Sequence, residues 1–412
     1  MNIGLKITRR LLGSIKNKIK HLFYFVVFRF FSMFPLKNKV VATSFNGMKY
    51  EDNPRFIVET LRRIGRNIDF VWLVDSSCCY LVPNYIRKVP FQLTLRTVYE
   101  MATAKVWISN NLFNRDVKKR KGQIYFETWH GGLGIKRIVA DVQGYPQKEF
   151  EKLRNFLKIA DLFVSNSDHL NSVYRSALGY EGLIWKCGYP KNDALCGDCS
   201  KEIKRLRDAL NLQSDTKIFV YAPTFRESIW RDKDNYDISV YDVDYSRVLS
   251  ALEKKFSGNW VVCVRWHPAL KAIANKLKKP SNIIDVTNYP DMVELVKGCD
   301  AFMTDYSSCI FDAALVKKPC FMFTLDFDKY KSEQGVYYEL EELPFSYARN
   351  NNELVENIIN FSNDDYQSKW NAFKERMGLY ESGHAAEDIA YVISEYLNGD
   401  DEPLQSVYKQ CL

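Results

Sequence analysis

Residues 304–312 read Thr-Asp-Tyr-Ser-Ser-Cys-Ile-Phe-Asp and lie between a short apolar run, Ala301-Phe302-Met303, and a stretch with helical spacing that ends before Pro319. A strand that stops at hydroxyl-bearing residues and turns straight into a helix directs backbone N–H groups and the positive helix end to one point, which suits a phosphate. Thr304 or Ser307 equally fits an ordinary helix cap. Two further segments add weight to the first reading. Ile124-Tyr125-Phe126-Glu127-Thr128-Trp129 runs into His130-Gly131-Gly132, and Trp260-Val261-Val262-Cys263-Val264-Arg265-Trp266 runs into His267-Pro268. Of the five histidines in the chain, these two follow a tryptophan at the end of a strand-like run. A general base must be neutral near pH 7 and stand where backbone comes close to a substrate. His130 before two glycines meets both conditions; His267 is stiffened by the fixed φ of Pro268 and has Arg265 on the same strand face. For either histidine alone, a ring satisfied by nearby backbone is the plainer account. Two such strand ends together with a phosphate-type turn favour a site.

The elements that must carry these residues alternate between strand-like and helix-like, the pattern of parallel sheets covered by helices, so the fold class is α/β. Strands are expected at Lys39–Thr43, Phe70–Val74, Val106–Ser109, Ile124–Thr128 and Leu162–Ser165, and again at Ile218–Tyr221, Trp260–Arg265, Ile283–Val286, Ala301–Met303 and Cys320–Phe323. A helix is expected from Pro54 to Ile64, with Asn53 as cap and Gly65 closing it. Gly188–Lys204, rich in glycine, proline and polar residues, is the expected crossing between two doubly wound units. The division is therefore a basic leading segment at 1–36, domains at 37–195 and 196–400, and a tail at 401–412.

At 412 residues the chain is long enough for two ordinary domains. Its formal charge of +8 is concentrated at the start: ten Lys or Arg and no acid precede Glu51. A nucleic-acid reader would spread basic residues over a folded face, so no nucleic-acid partner is expected. Lys6, Arg9, Arg10, Lys16, Lys18 and Lys20 precede a bulky apolar stretch from Leu22 to Phe34 that Arg29 interrupts. That stretch is too short to span a bilayer, and no small-residue cleavage site follows it. It reads as an interfacial helix on an anionic, cytoplasmic membrane surface, or alternatively as a basic helix packed on its own protein. The ten cysteines form no disulfide framework, which places the chain in a reducing compartment. Cys196 and Cys199 make one CxxC, but no second pair or nearby histidine completes a zinc site, so no metal is expected.

Several segments resemble, in order, the CDP-glycerol glycerophosphotransferases of teichoic acid and capsule synthesis. They are Ser44-Phe45-Asn46-Gly47 with Asp52-Asn53-Pro54, Ala104 to Asn110, Thr128-Trp129-His130-Gly131, Gly188-Tyr189-Pro190-Lys191-Asn192-Asp193, Tyr221-Ala222-Pro223-Thr224-Phe225-Arg226, His267-Pro268, and Thr304 to Asp312. Where the family often has Thr-Pro after the Trp-His-Gly, this chain has Gly132-Leu133-Gly134, and Lys191 stands in place of a common arginine. The resemblance implies a GT-B-like architecture, with an acceptor-side first domain and a CDP-donor-binding second domain facing a central cleft, as two doubly wound sheets also permit. It implies transfer of glycerol phosphate from CDP-glycerol to a hydroxyl of a lipid-linked glycan or growing polymer, with CMP leaving, by a peripheral protein on the cytoplasmic face of the membrane. No cofactor beyond the donor is implied. His130 would be the base, with His267 as the second catalytic residue. His267 and Arg265, with Thr224 and Arg226, would hold the diphosphate; Ser307 and Ser308 would bind phosphate, and Asp312 the ribose hydroxyls. Trp129, Gly131, Gly132, Lys191, Pro223 and Thr304 complete the expected substrate contacts. A CDP-ribitol phosphotransferase, a nucleotide-sugar glycosyltransferase and a non-catalytic membrane scaffold stay open, as does a homo-oligomer.

Overall fold

The computed structural model describes residues 22–65, 67–113, 118–226, 237–267, 270 and 283–412. Two parallel sheets organise the chain. The first contains β1 (Lys37–Thr43), β2 (Asp69–Val74), β3 (Arg87–Pro90), β4 (Ala104–Ser109), β5 (Ile124–Glu127), β6 (Leu162–Ser165) and β7 (Leu183–Lys186), in the order β3-β2-β1-β4-β5-β6-β7. The second contains β8 (Lys217–Tyr221), β9 (Trp260–Val264), β10 (Ile283–Asp285), β11 (Ala301–Thr304), β12 (Cys320–Phe323) and β13 (Ser346–Ala348), in the order β10-β9-β8-β11-β12-β13. Both orders begin in the middle and wind outwards to either side, which right-handed crossovers through helices on both faces produce. Burial on both faces is why Val40-Val41-Ala42 and Ala301-Phe302-Met303 show no polar alternation; all six are buried.

Each sheet has its own core. Val41, Trp72, Trp107, Phe126 and Phe163 belong to the first, and Phe219, Val262, Phe302, Ile310 and Phe321 to the second. The chain passes between the lobes more than twice. Leu133 and Ile135, just after the Trp-His-Gly segment, pack in the second core. Arg137 N donates to Gly335 O and Tyr337 N to Ile135 O, pinning that excursion. The expected boundary at 400 and the expected tail do not hold. The helices Ala385–Asn398 and Glu402–Gln410 insert Ile389, Ile393, Leu397, Leu404 and Val407 into the first core. Their apolar stripes match a surface that the first sheet leaves uncovered, so the chain end closes the lobe in which the chain began.

Residues 22–31 are helical. Phe28 is buried in the first core, and Tyr24 Oη donates to Leu93 O at 2.5 Å. The opposite face, with Leu22, Phe23, Val26 and Phe30, is exposed. The basic residues expected to precede it lie outside the described residues. Among the described residues no helix is long and apolar enough to cross a membrane.

Candidate active site

The residues singled out from sequence stand at the carboxyl ends of the central strands, where doubly wound sheets bind ligands. β5 ends at Glu127 and the chain turns sharply through Trp129, which has φ +52°, and Gly131, which has φ +76°. Left-handed backbone costs a side-chain-bearing residue about 1–2 kcal/mol, so Trp129 keeps this conformation only under restraint. Its ring stacks on His130, with centroids 4.9 Å apart, and Phe45 meets the imidazole edge-on at 5.2 Å. His130 Nδ1 lies 2.6 Å from Asn110 O at the end of β4. A carbonyl can only accept, so Nδ1 carries the proton and Nε2 is left as the basic nitrogen. Burial pushes the His130 pKa down; the Asn110 carbonyl opposes this, while Lys136 and Lys191 add to it. The ring is thereby held neutral, as a base requires.

The opposing wall comes from the second lobe. A Cβ built on Gly131 would lie 3.0 Å from Ser308 Oγ, so the glycine lets the His130 turn touch the turn after β11. Ser308 precedes the helix Cys309–Leu315 and makes no side-chain capping bond, whereas Ser307 Oγ accepts from Cys309 Sγ at 3.1 Å. Ser307 Oγ also accepts from Cys309 N at 3.5 Å, so the cap reading holds for Ser307. Arg265, after β9, donates to Tyr289 O at 2.7 Å, and it feels the charge of Glu51 from the first lobe. His267 is exposed and stacks on Phe225, with centroids 5.7 Å apart. Although the residue is open to solvent, the protein around its ring desolvates it in part, and this, followed by the charges of Lys136 and Lys49, lowers its pKa. Lys136 acts on both histidines, which come from different sheets.

Lys191 Nζ donates to Asp312 Oδ2 at 2.5 Å, joining the crossing helix Pro190–Asp193 to the second lobe. Burial alone would lower the Lys191 pKa, but Asp312 and Asp52 outweigh it and hold it up at about 12. Asp312 thus faces a lysine rather than standing free for ribose hydroxyls, a departure from the expected role. Gly132 lies against the Asn166 amide, which donates to Glu381 Oε1 at 2.7 Å.

Four other expected donor contacts turn inward. Arg226 is 5% exposed; Nε and Nη2 bond both oxygens of Asp326, Nη1 bonds Asp305 Oδ2 at 2.8 Å, and the guanidinium lies over Tyr306. A guanidinium held on two carboxylates is not offered to a diphosphate, so its role here is to fix the loop after β8. Thr304 Oγ1 donates to Ala222 O at 2.6 Å, and Asp305 Oδ1 accepts from Thr224 N at 2.8 Å. These bonds join the ends of β8 and β11. Pro223 is buried in the same loop, and the Thr224 hydroxyl is buried with no partner among the described residues.

Sequence reading passed over Asn110, which pairs with His130 through its carbonyl and accepts from Phe45 N through its side chain at 2.9 Å. It also passed over Glu127. Their place three residues or less from a strand end was the available signal. No group of three or more His, Cys, Asp or Glu is placed to hold a metal ion among the described residues.

The family described as CDP-glycerol:poly(glycerophosphate) glycerophosphotransferase matches residues 25–395. The chain belongs to this family. As a glycerophosphotransferase-family member it is 29% identical to the teichoic acid poly(glycerol phosphate) polymerase of Bacillus subtilis (strain 168), over 93% of this chain and 53% of that one. It is 30% identical to the polymerase of the same description from Staphylococcus epidermidis, over 86% of this chain and 50% of the relative. The chain spans about half the length of these two curated relatives. A solved structure of the wall teichoic acid polymerase TagF, a histidine variant soaked with CDPG, superposes with a TM-score of 0.78 at 27% identity, covering 94% of this chain and 98% of that chain.

Proposed function

We propose that this family member transfers glycerol phosphate from CDP-glycerol to a terminal hydroxyl of a lipid-linked glycan or growing polymer in teichoic acid synthesis, on a GT-B-type cleft. The acceptor oxygen attacks the glycerol-bearing phosphorus, the bond from that phosphorus to the bridging oxygen breaks, and CMP leaves with the electron pair. The acceptor proton passes to His130 Nε2. Arg265 and His267 face the diphosphate, and Ser307 and Ser308 bind phosphate oxygens with hydroxyl and backbone groups. The observation that carries this reading is the close approach of Gly131 to Ser308, which brings a neutral imidazole and a hydroxyl-bearing turn from separate sheets to one place.

The test is CMP release by the purified chain with a lipid-linked acceptor and, separately, CDP-glycerol, CDP-ribitol and UDP-sugars. Turnover with CDP-glycerol is expected, and release only with a sugar nucleotide would overturn the reading. His130→Ala should lower kcat by about 10²–10⁴-fold while the fold persists; a variant that still supports polymer synthesis in cells would favour a scaffold.

The exposed apolar face of residues 22–34 supports peripheral attachment to the cytoplasmic membrane surface, where the lipid-linked acceptor would be met. Phe23, Val26, Phe30 and Met33 are each more than half exposed on this segment, while Phe28 anchors it to the first core.

A further inference from the structure

Glu127 is fully buried at the end of β5, three residues before His130. Its Oε1 accepts from Trp129 N at 2.9 Å, and its Oε2 accepts from Leu112 N at 3.2 Å and from Tyr125 Oη at 2.5 Å. The two backbone donors share an unusual property: Trp129 has φ +52° and Leu112 has φ +60°, left-handed conformations for residues that carry bulky side chains. Each is strained, and each gives its N–H to the same carboxyl group. They also sit on the two loops that define His130. Trp129 is adjacent to the imidazole and stacks on it, and Leu112 lies two residues after Asn110, whose carbonyl pairs with Nδ1 at 2.6 Å. One carboxyl group therefore spans the turn that carries the ring and the loop that carries the ring's partner.

We propose that Glu127 is a positioning residue that fixes His130 in the Nδ1–H tautomer by clamping the Trp129 and Leu112 turns together. The proposal rests on His130 as the base, because only then does the tautomer matter to turnover. A tautomer set by a carbonyl depends on the distance between two loops, and loss of the clamp would leave two buried N–H groups without an acceptor while releasing both strained turns. Burial pushes the Glu127 carboxyl up to about 8, against the pull of the hydrogen bonds from Tyr125, Trp129, Leu112 and Ser109. A carboxamide keeps the shape of the group but offers a single acceptor oxygen, so it can hold one of the two N–H groups and not both. Gln therefore weakens the clamp by one bond, Leu removes both acceptors, and Asp is one methylene too short to reach both N–H groups.

Histidine-labelled protein observed by ¹⁵N NMR reports the tautomer without turnover, with the His130 signals assigned by their loss in His130→Gln. Wild type should show Nδ1 protonated and Nε2 free, and Glu127→Gln should keep more of that tautomer and more of kcat than Glu127→Leu. Glu127→Leu should show mixed tautomers, and kcat lower by about 10- to 100-fold with donor KM within twofold, the usual scale for groups that orient an imidazole. If Glu127→Leu does not fold, Glu127→Asp carries the same expectation. A folded Leu or Asp variant with the native tautomer would overturn the proposal whatever its rate. Failure of the base reading is separate: it would appear as native turnover by His130→Ala and leave the NMR result unchanged.

Discussion

Burial and one hydrogen bond suit His130 to the role proposed for it. Its pKa is lowered chiefly by burial, so the folded state favours the neutral ring. The neutral form then persists below the ordinary value of 6.5, and the acidic limb of kcat/KM should fall below pH 6.5. The stability consequence has the same direction. The unfolded chain binds the proton more readily, so this contribution is complete above about pH 6.5 and is lost as pH falls towards the folded value. A denaturation series across that range checks it. Gly131 makes a second prediction. With φ +76° and a would-be Cβ 3.0 Å from Ser308 Oγ, Gly131→Ala adds backbone strain and pushes the two walls apart. It should cost about 1–2 kcal/mol in urea denaturation, and kcat should fall. Gly134→Ala is the control, since its nearest contact would be an ordinary 3.8 Å to Lys136 O and its φ is not positive. The histidine–glycine pair was legible in the sequence because residue type and spacing announce it. The partners Asn110 and Glu127 were not, because their contribution depends on which loops meet, and that is a property of the sheet order.

The interior strands were readable for a related reason. Buried on both faces, they are continuous apolar runs that local composition reveals. The strands missed, β3, β7 and β13, all lie at sheet edges, where Arg87-Lys88, Lys186 and Ser346 replace apolar residues. Edges carry charge because an apolar edge would invite further pairing, and this hides them from a hydrophobic pattern. The leading helix combines both of the accounts its sequence allowed: Phe28 packs inward, while Leu22, Phe23, Val26 and Phe30 face outward. If the outward face docks on lipid, Val26→Glu with Phe30→Glu should reduce co-sedimentation with anionic vesicles and leave the thermal midpoint nearly unchanged, because neither side chain is buried. Unchanged sedimentation would remove the membrane role of this face. Phe28→Ala should act in the opposite way, lowering stability by about 3–5 kcal/mol as a cavity opens in the first core.

At the scale of the molecule, a site assembled from two sheets needs the lobes held in register, and among the described residues two ion pairs cross between them. Arg55 Nη1 meets Asp291 Oδ2 at 2.7 Å, and Lys191 Nζ meets Asp312 Oδ2 at 2.5 Å. The first pair is partly exposed and salt will screen it. The second is enclosed, with side-chain exposures of 10% and 16%, so it governs the register more strongly. The sequence pointed to Lys191 and Asp312 separately as substrate contacts; nothing local indicated that they would find each other from opposite sides of the crossing. Removing one member of an enclosed pair leaves a buried charge uncompensated, at a cost of about 3–5 kcal/mol. Here the two removals are unequal. Lys191→Met leaves Asp312 and Asp52 facing each other with no cation between them, whereas Asp312→Asn leaves Lys191 with Asp52 still attracting it. Lys191→Met should therefore be the more destabilising single change in urea denaturation, and Lys191→Met with Asp312→Asn should be more stable than Lys191→Met alone. Strict additivity would mean that the lobes are aligned by packing and that the pair contributes nothing of its own. A favourable coupling accompanied by a raised donor KM in both single variants would mean that the same ion pair that joins the lobes also shapes the cleft between them.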